Sequence, residues 1–291
     1  MNWPKDCKIK SSYLLKNKTT FRIGGPARFF SEPKDTAKLK ALVQAAGKSK
    51  LPVFILGAGS NLLVSDQGVR GLVISLSSPY FKRITLENGY IRLGAGIGLA
   101  QLIKFSQDKA WQGVEFLIGI PGTLGGALAM NAGCWGQNIG DLVKEVEIME
   151  QNGKIKTLKR SQIKFGYRKS SLAKYIILSS LFKFKKGRRP QIKENIKEYL
   201  SARRKHQDAA CFNAGCIFKN PKNYSAGRLI ELCGLKGKNI GGAFISRRHA
   251  NFIINKGKAS AKDVLRLMRL AQKRVKDKFN LDLQPEIKIW E

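Results

Sequence analysis

Acidic side chains are scarce in this 291-residue chain: 20 Asp and Glu stand against 54 Lys and Arg, for a formal charge of +34. Such a surface attracts polyanions, nucleic acid and small phosphorylated molecules alike, and charge alone does not separate these from a solvated lysine shell. The basic residues are spread along the chain, densest at 183–189 (KFKKGRR) and 203–205 (RRK), and form no basic arm. Histidine is scarcer still. His206 and His249 are the only two, and the five cysteines (Cys7, Cys134, Cys211, Cys216, Cys233) form no C-x-x-C pair, so no metal site is expected. A chain of this length builds a core without disulfide staples. The N-terminal stretch MNWPKDCKIKSSYLLKNK lacks an apolar run of signal-peptide length, so a cytoplasmic protein is expected. No repeat appears at solenoid periods.

Charge is missing altogether from Phe116 to Gly140, a stretch long enough to span a bilayer. It holds seven glycines, Pro121, Asn131, Gln137 and Asn138, a poor composition for a lipid-facing helix, so a buried, loop-rich segment is expected and no membrane contact. Apolar residues at 43% and charged residues at 25% exclude disorder.

What is present alternates between helical and extended patterns. Residues 35–47 have helical apolar spacing, and Leu51–Leu56, Gly71–Leu76 and Ile91–Leu93 read as strands. A helix is expected over Leu99–Lys109. Val146–Met149 and Ile155–Leu158 flank Asn152-Gly153, a hairpin signal. Tyr175–Phe184 reads as a further strand and Gln191–Lys205 as a charged helix beyond a boundary near 185–195. From Ala261, the apolar residues Val264, Leu267, Met268, Ala271, Val275 and Phe279 form one stripe, and Ser260 and Asp263 have capping-box spacing. Leu281–Ile289 alternates around Pro285 and is expected to be a strand. The expected class is α+β.

Two glycine segments stand out. Gly57-Ala58-Gly59-Ser60-Asn61 follows a strand and exposes successive backbone N–H groups, a weak signal that favours a plain turn over an anion nest. It is no Rossmann fingerprint, because the third glycine would fall at Leu62 and Leu62-Leu63-Val64 continues extended. Gly94-Ala95-Gly96-Ile97-Gly98 reads as a local turn. The segment 119–127 (GIPGTLGGA), followed by Met130-Asn131-Ala132-Gly133, offers side chains small enough for a flat cofactor to lie on main chain, or for a tight packing turn.

These segments, with Thr20–Ala27, Gly166-Tyr167-Arg168-Lys169-Ser170, Ala214–Pro221, Ala226–Glu231, His249–Asn255 and Gln284-Pro285-Glu286, resemble the UDP-N-acetylenolpyruvoylglucosamine reductases (MurB), in the same order over nearly the whole chain. The length resembles the shorter type of that family. The resemblance implies a PCMH-type FAD-binding fold with two lobes, 1–80 and 81–187, and a smaller C-terminal α/β substrate-binding domain, 195–291. It implies FAD as cofactor and NADPH as co-substrate, reducing a UDP-sugar enolpyruvyl ether for peptidoglycan synthesis. Cofactor contacts are implied at Gly57, Ala58, Gly59, Ser60, Asn61 and Leu62, and at Gly119, Ile120, Pro121, Gly122, Thr123, Gly126 and Ala127. The oligomeric state is not implied.

The resemblance also implies roles for side chains. Arg168 would hold the substrate carboxylate in its guanidinium fork, and Glu286 would assist charge stabilisation or proton delivery. Cys216 stands where most of the family has the serine that protonates the reduced substrate. A thiol, with an ordinary pKa near ~8.5, is competent as a general acid, so Cys216 is expected to replace it, with Arg168 and Lys219 helping to set its ionisation. Tyr167, Lys205, Lys219, Asn220, Arg228 and His249 are expected substrate contacts, His249 equally a structural residue. After Lys205 the family's usual proline is missing, and His206-Gln207-Asp208-Ala209-Ala210 stands instead. Two other readings stay open: another FAD-dependent oxidoreductase on this scaffold, and a basic nucleic-acid-binding protein.

Overall fold

The structure, a computed structural model, describes residues 3–206 and 211–291. Residues 207–210, where the missing proline would fall, lie outside the described residues. Six α-helices occur among the described residues: α1 (Thr36–Lys48), α2 (Leu99–Asp108), α3 (Leu124–Ala129), α4 (Arg189–His206), α5 (Ala226–Leu232) and α6 (Ala261–Phe279). None is long and apolar enough to cross a membrane. The chain forms two compact units, one of residues 1–11, 29–58 and 71–202, the other of residues 12–28, 59–70 and 203–291.

In the first unit, Val53–Leu56 pairs in parallel with Leu72–Ser75. Helix α1 starts where the Asp35 carboxylate accepts from the Lys38 amide at 2.8 Å, and it buries Leu39, Leu42, Val43 and Ala46. A five-stranded antiparallel sheet runs in the order Ile155–Lys159, Val143–Met149, Ile176–Phe182, Tyr90–Gly94, Ile84–Glu87. The Asn152-Gly153 hairpin closes its edge, with Gly153 at φ +83°. All seven residues of Ile176–Phe182 are buried, as a central strand requires. The uncharged segment is loop-rich and partly buried: Phe116, Leu117, Leu124, Leu128 and Ile139 enter this core, Gly119, Pro121 and Gly126 are exposed, and its helix α3 has six residues.

In the second unit, the antiparallel sheet Phe212–Cys216, Phe252–Asn255, Ala243–Ile245, Asn239–Ile240 packs with α6. Both halves of the Ser260/Asp263 capping box are formed, and α6 buries Val264, Leu267, Met268, Ala271 and Val275. A buried Leu or Met contributes roughly 1.5–3 kcal/mol, so this stripe anchors the unit. Residues 12–28 and 59–70 fall in this unit and not with the segment 1–80. The reason is pairing at long range: Leu62–Val64 forms a parallel ladder with Lys288–Trp290, and the Thr20 hydroxyl donates to the Asn213 carbonyl at 2.7 Å. The strand expected over 281–289 is shorter, Lys288–Trp290. Pro285, with no N–H to give a ladder, leaves only an isolated bridge to Phe218.

Candidate active site

The two glycine segments meet in the first unit. A Cβ built on Gly57 would lie 2.7 Å from the Thr123 hydroxyl oxygen, so the end of the Val53–Leu56 strand runs against the start of α3. Thr123 is itself the N-cap of α3. Gly57, Ala58, Gly119, Pro121 and Gly126 are exposed, Ile120, Gly122 and Thr123 half-buried, and Ala127 buried. Gly119 at φ +74° takes a conformation that a side chain would strain. This is exposed main chain with small side chains and no charge, and it fits a flat dinucleotide such as FAD.

The hairpin Phe165–Gly166/Lys169–Ser170 belongs to the same unit and carries Tyr167 and Arg168 at its tip. Arg168 sits at φ +55°, and its guanidinium donates to the Gly133 carbonyl at 2.8 Å while lying 5.5 Å from the Tyr167 ring centre. The tip is tied down by a residue that sequence reasoning missed. Asn131 is 5% exposed; its amide donates to the Gly166 carbonyl at 3.1 Å and accepts from the Gly140 amide at 3.1 Å. Ser170 adds a hydroxyl bond to the Leu128 carbonyl at 2.8 Å. The signal available was the Met-Asn-Ala-Gly run itself, since asparagine tolerates the positive φ of 45° found there.

In the second unit the chain brings Cys216 and Glu286 onto neighbouring segments. The Glu286 amide donates to the Ile217 carbonyl at 2.8 Å, and the Lys219 amide to the Gln284 carbonyl at 2.9 Å. Cys216, Lys219 and Glu286 are half-buried. The strand of Cys216 shifts register between Asn213 and Cys216, with Gly215 at φ +74°, and Cys216 rejoins the ladder opposite Phe252. Asn251, also missed, fixes the next residue but one: 2% exposed, it accepts from the Phe218 amide at 2.9 Å and donates to the Phe218 carbonyl at 2.7 Å.

The rest of the Gly57–Leu62 turn lies beside this pair. The Asn61 amide donates to the Glu286 carbonyl at 3.1 Å, and the Thr20 amide to the Gly59 carbonyl at 3.1 Å. Gly59 is at φ +64°, and a Cβ there would overlap the Lys18 carbonyl. Ser60 is half-buried, and Leu62 is buried in its ladder.

The remaining positions are more dispersed. Asn220 caps the chain before α5, its side-chain oxygen accepting from the Ala226 amide at 3.0 Å. Arg228 reaches Glu231 at 3.6 Å, and Lys236 meets the same carboxylate at 2.9 Å. The Lys236 bond first, then the charges of Lys236 and Arg228, holds the Glu231 carboxyl below its ordinary range. His249 accepts from the Asn251 amide at 3.2 Å and packs 4.9 Å from the Phe252 ring. Lys205 is exposed near the end of α4. A cavity of about 670 Å³ lined by Glu115, Asp141, Lys183 and Tyr199, among others, holds none of the expected site residues.

Known proteins match this arrangement. Residues 27–159 match the model of the FAD binding domain, and residues 206–290 that of the UDP-N-acetylenolpyruvoylglucosamine reductase C-terminal domain. The fold and these matches define an FAD-binding oxidoreductase of mixed α+β structure. A UDP-N-acetylenolpyruvoylglucosamine reductase of Caldanaerobacter subterraneus subsp. tengcongensis is 41% identical over 98% of this chain and 94% of its own. One from Clostridium novyi is 38% identical over 97% and 92%. The crystal structure of the Thermus caldophilus enzyme superposes with a TM-score of 0.85 at 36% identity, covering 98% of this chain and all of that one. The chain belongs to the UDP-N-acetylenolpyruvoylglucosamine reductase family.

Proposed function

We propose that this protein uses NADPH to reduce UDP-N-acetylglucosamine enolpyruvate to UDP-N-acetylmuramate, in the cytoplasm, as a step of peptidoglycan precursor synthesis. The observation that carries the reading is the pairing of Cys216 with Glu286 on hydrogen-bonded neighbouring segments, in a chain of this family. FAD, when bound, supplies the passage of a hydride from NADPH to the enolpyruvyl double bond. The protein's task is then positional and electrostatic.

Gly57, Ala58, Gly59, Ser60, Asn61 and Leu62, with the 119–127 segment, hold the cofactor along main chain. Arg168 clamps the substrate carboxylate and stabilises the enolate-like charge that hydride addition builds. Asn131 keeps the Tyr167-Arg168 tip in place. Cys216 donates its proton to the carbon next to the one that receives hydride, and Glu286 assists from the adjoining segment. A serine hydroxyl there would need far stronger help to do the same at neutral pH than a thiol does. Lys219 and Asn220, with Tyr167, Lys205, Arg228 and His249, contribute substrate contacts. Residues 1–80, apart from the stretches 12–28 and 59–70, and residues 81–187 act as the flavin-holding lobes, and 195–291, with those two stretches, as the substrate unit.

The test is NADPH oxidation by the flavin-loaded protein with and without UDP-N-acetylglucosamine enolpyruvate. Substrate-dependent oxidation with formation of UDP-N-acetylmuramate is expected. A yellow protein whose NADPH oxidation ignores this substrate is another oxidoreductase on the same scaffold.

A further inference from the structure

Helix α6 has two faces of opposite chemistry. Val264, Leu267, Met268, Ala271 and Val275 lie in the core, while Lys262, Arg266, Arg269, Lys273 and Lys276 are exposed. These five follow one another at alternating four- and three-residue steps. At ~100° and ~1.5 Å per residue they stay within about 40° of one line, directly opposite the apolar stripe, and extend over ~21 Å.

The row is poorly neutralised. Lys276 pairs with Asp282 at 3.1 Å, Arg266 lies near Asp263, whose carboxylate already serves the helix cap, and Asp277 flanks the C-terminal end. The Asp66 carboxylate accepts from the Ala261 and Lys262 amides at 2.8 and 3.1 Å, which places one acid at the N-terminal end of the row; the side chains of Arg269 and Lys273 pair with no carboxylate among the described residues. Like charges at i,i+4 weaken a helix, and none of the five belongs to the motifs that build the active site. The reaction leaves them without a task.

We propose that this face of α6 docks double-stranded DNA, gripping its phosphates without reading sequence. A row of five cations complements the closely spaced phosphates of a duplex and sets an upper bound of about five phosphate contacts. The helix carries no exposed aromatic side chain in the row on which unpaired bases would stack. Its apolar side is committed to the core, leaving nothing to insert into lipid. An α-helix enters the ~12 Å major groove of B-form DNA, whereas the deep, narrow major groove of A-form RNA excludes it. The docking surface goes beyond the reductase activity and accounts for part of the +34 charge that the reaction does not need.

The experiment measures binding of the flavin-loaded protein to a mixed-sequence DNA duplex across a salt series. Four to five phosphate contacts give a log–log slope of about −3.6 to −4.5, which is a loss of roughly 150- to 500-fold for each fourfold rise in salt. The triple variant Arg266→Gln/Arg269→Gln/Lys273→Gln lowers that slope by about 2.7 and keeps substrate-dependent NADPH oxidation. A control triple in exposed lysines of the first unit, Lys48→Gln/Lys104→Gln/Lys109→Gln, shifts it by less than about 1. Equal shifts for both triples would reduce the effect to diffuse charge and overturn the proposal. So would duplex RNA binding as tightly as DNA, binding to phosphatidylserine vesicles but not to DNA, or no DNA binding at all. Because the readout is DNA affinity, these outcomes stand apart from success or failure of the reductase assay.

Discussion

Replacing Asn251 tests how the segments that carry Cys216 and Glu286, the proposed proton-donating end of the site, are held. Its side chain satisfies both main-chain groups of Phe218, two residues after Cys216, at 2.9 and 2.7 Å. Both residues are 2% exposed, so water cannot take over the bonds. Phe218 in turn bridges Pro285, which precedes Glu286. Removing the amide leaves one N–H and one C=O buried and unpaired, at about 1–3 kcal/mol each. Asn251→Ala is therefore expected to cost about 2–6 kcal/mol, which is a fall of roughly 5–20 °C in melting temperature for a chain of this size. Asn251→Leu separates cause from cause. Leucine restores the volume without the bonds, so a cavity effect would recover and a hydrogen-bond effect would not. Differential scanning calorimetry of the flavin-loaded proteins reads the shift. If the leucine variant melted with the native protein, or the alanine variant within about 1 °C of it, the account of Asn251 as the strut beneath Cys216 and Glu286 would be refuted.

The other expectations concern separate parts of the molecule. Asp263→Ala removes half of the α6 capping box and costs about 0.5–2 kcal/mol at neutral pH. The Ser260 backbone amide first, then the Ser260 hydroxyl and the Gly242 amide, holds the Asp263 carboxyl below 3.8. The native advantage is thus complete above that value and disappears as pH falls through the lowered one, which urea titrations at several pH values will follow. Gly57→Ala places a methyl 2.7 Å from the Thr123 hydroxyl and is expected to reduce flavin retained through gel filtration while far-ultraviolet circular dichroism stays native. Arg168→Lys keeps the charge but loses the planar fork, and substrate reduction is expected to slow by about 100- to 1000-fold with flavin reduction by NADPH unaffected.

Local structure was legible where short-range physics decides it. The stripe Val264–Val275 and the Ser260/Asp263 cap gave α6 its observed start, and the Asn152-Gly153 turn gave the hairpin. The charge-free 116–140 stretch read correctly as loop-rich, its glycines and Pro121 limiting it to the six-residue helix α3, with Phe116, Leu117, Leu124, Leu128 and Ile139 in the core. Long-range organisation was not legible. Nothing near Leu62 announces a partner at Lys288, and that parallel ladder is what draws 59–70 into the second unit. The alternation over 281–289 overstated a strand because Leu283 and Ile287 are buried by packing while Pro285 interrupts the ladder. Asn131 and Asn251 escaped notice because an asparagine that braces main chain from within the core has the same local pattern as one in a surface turn.

The role of Cys216 is tested most directly by following the two half-reactions of Cys216→Ala separately in a stopped-flow instrument. Bleaching of the flavin by NADPH is expected at the native rate. Its re-oxidation by UDP-N-acetylglucosamine enolpyruvate is expected to fall by about 100-fold or more, and Cys216→Ser to restore much of it. Re-oxidation of the alanine variant at the native rate would contradict the assignment of the thiol as the proton donor.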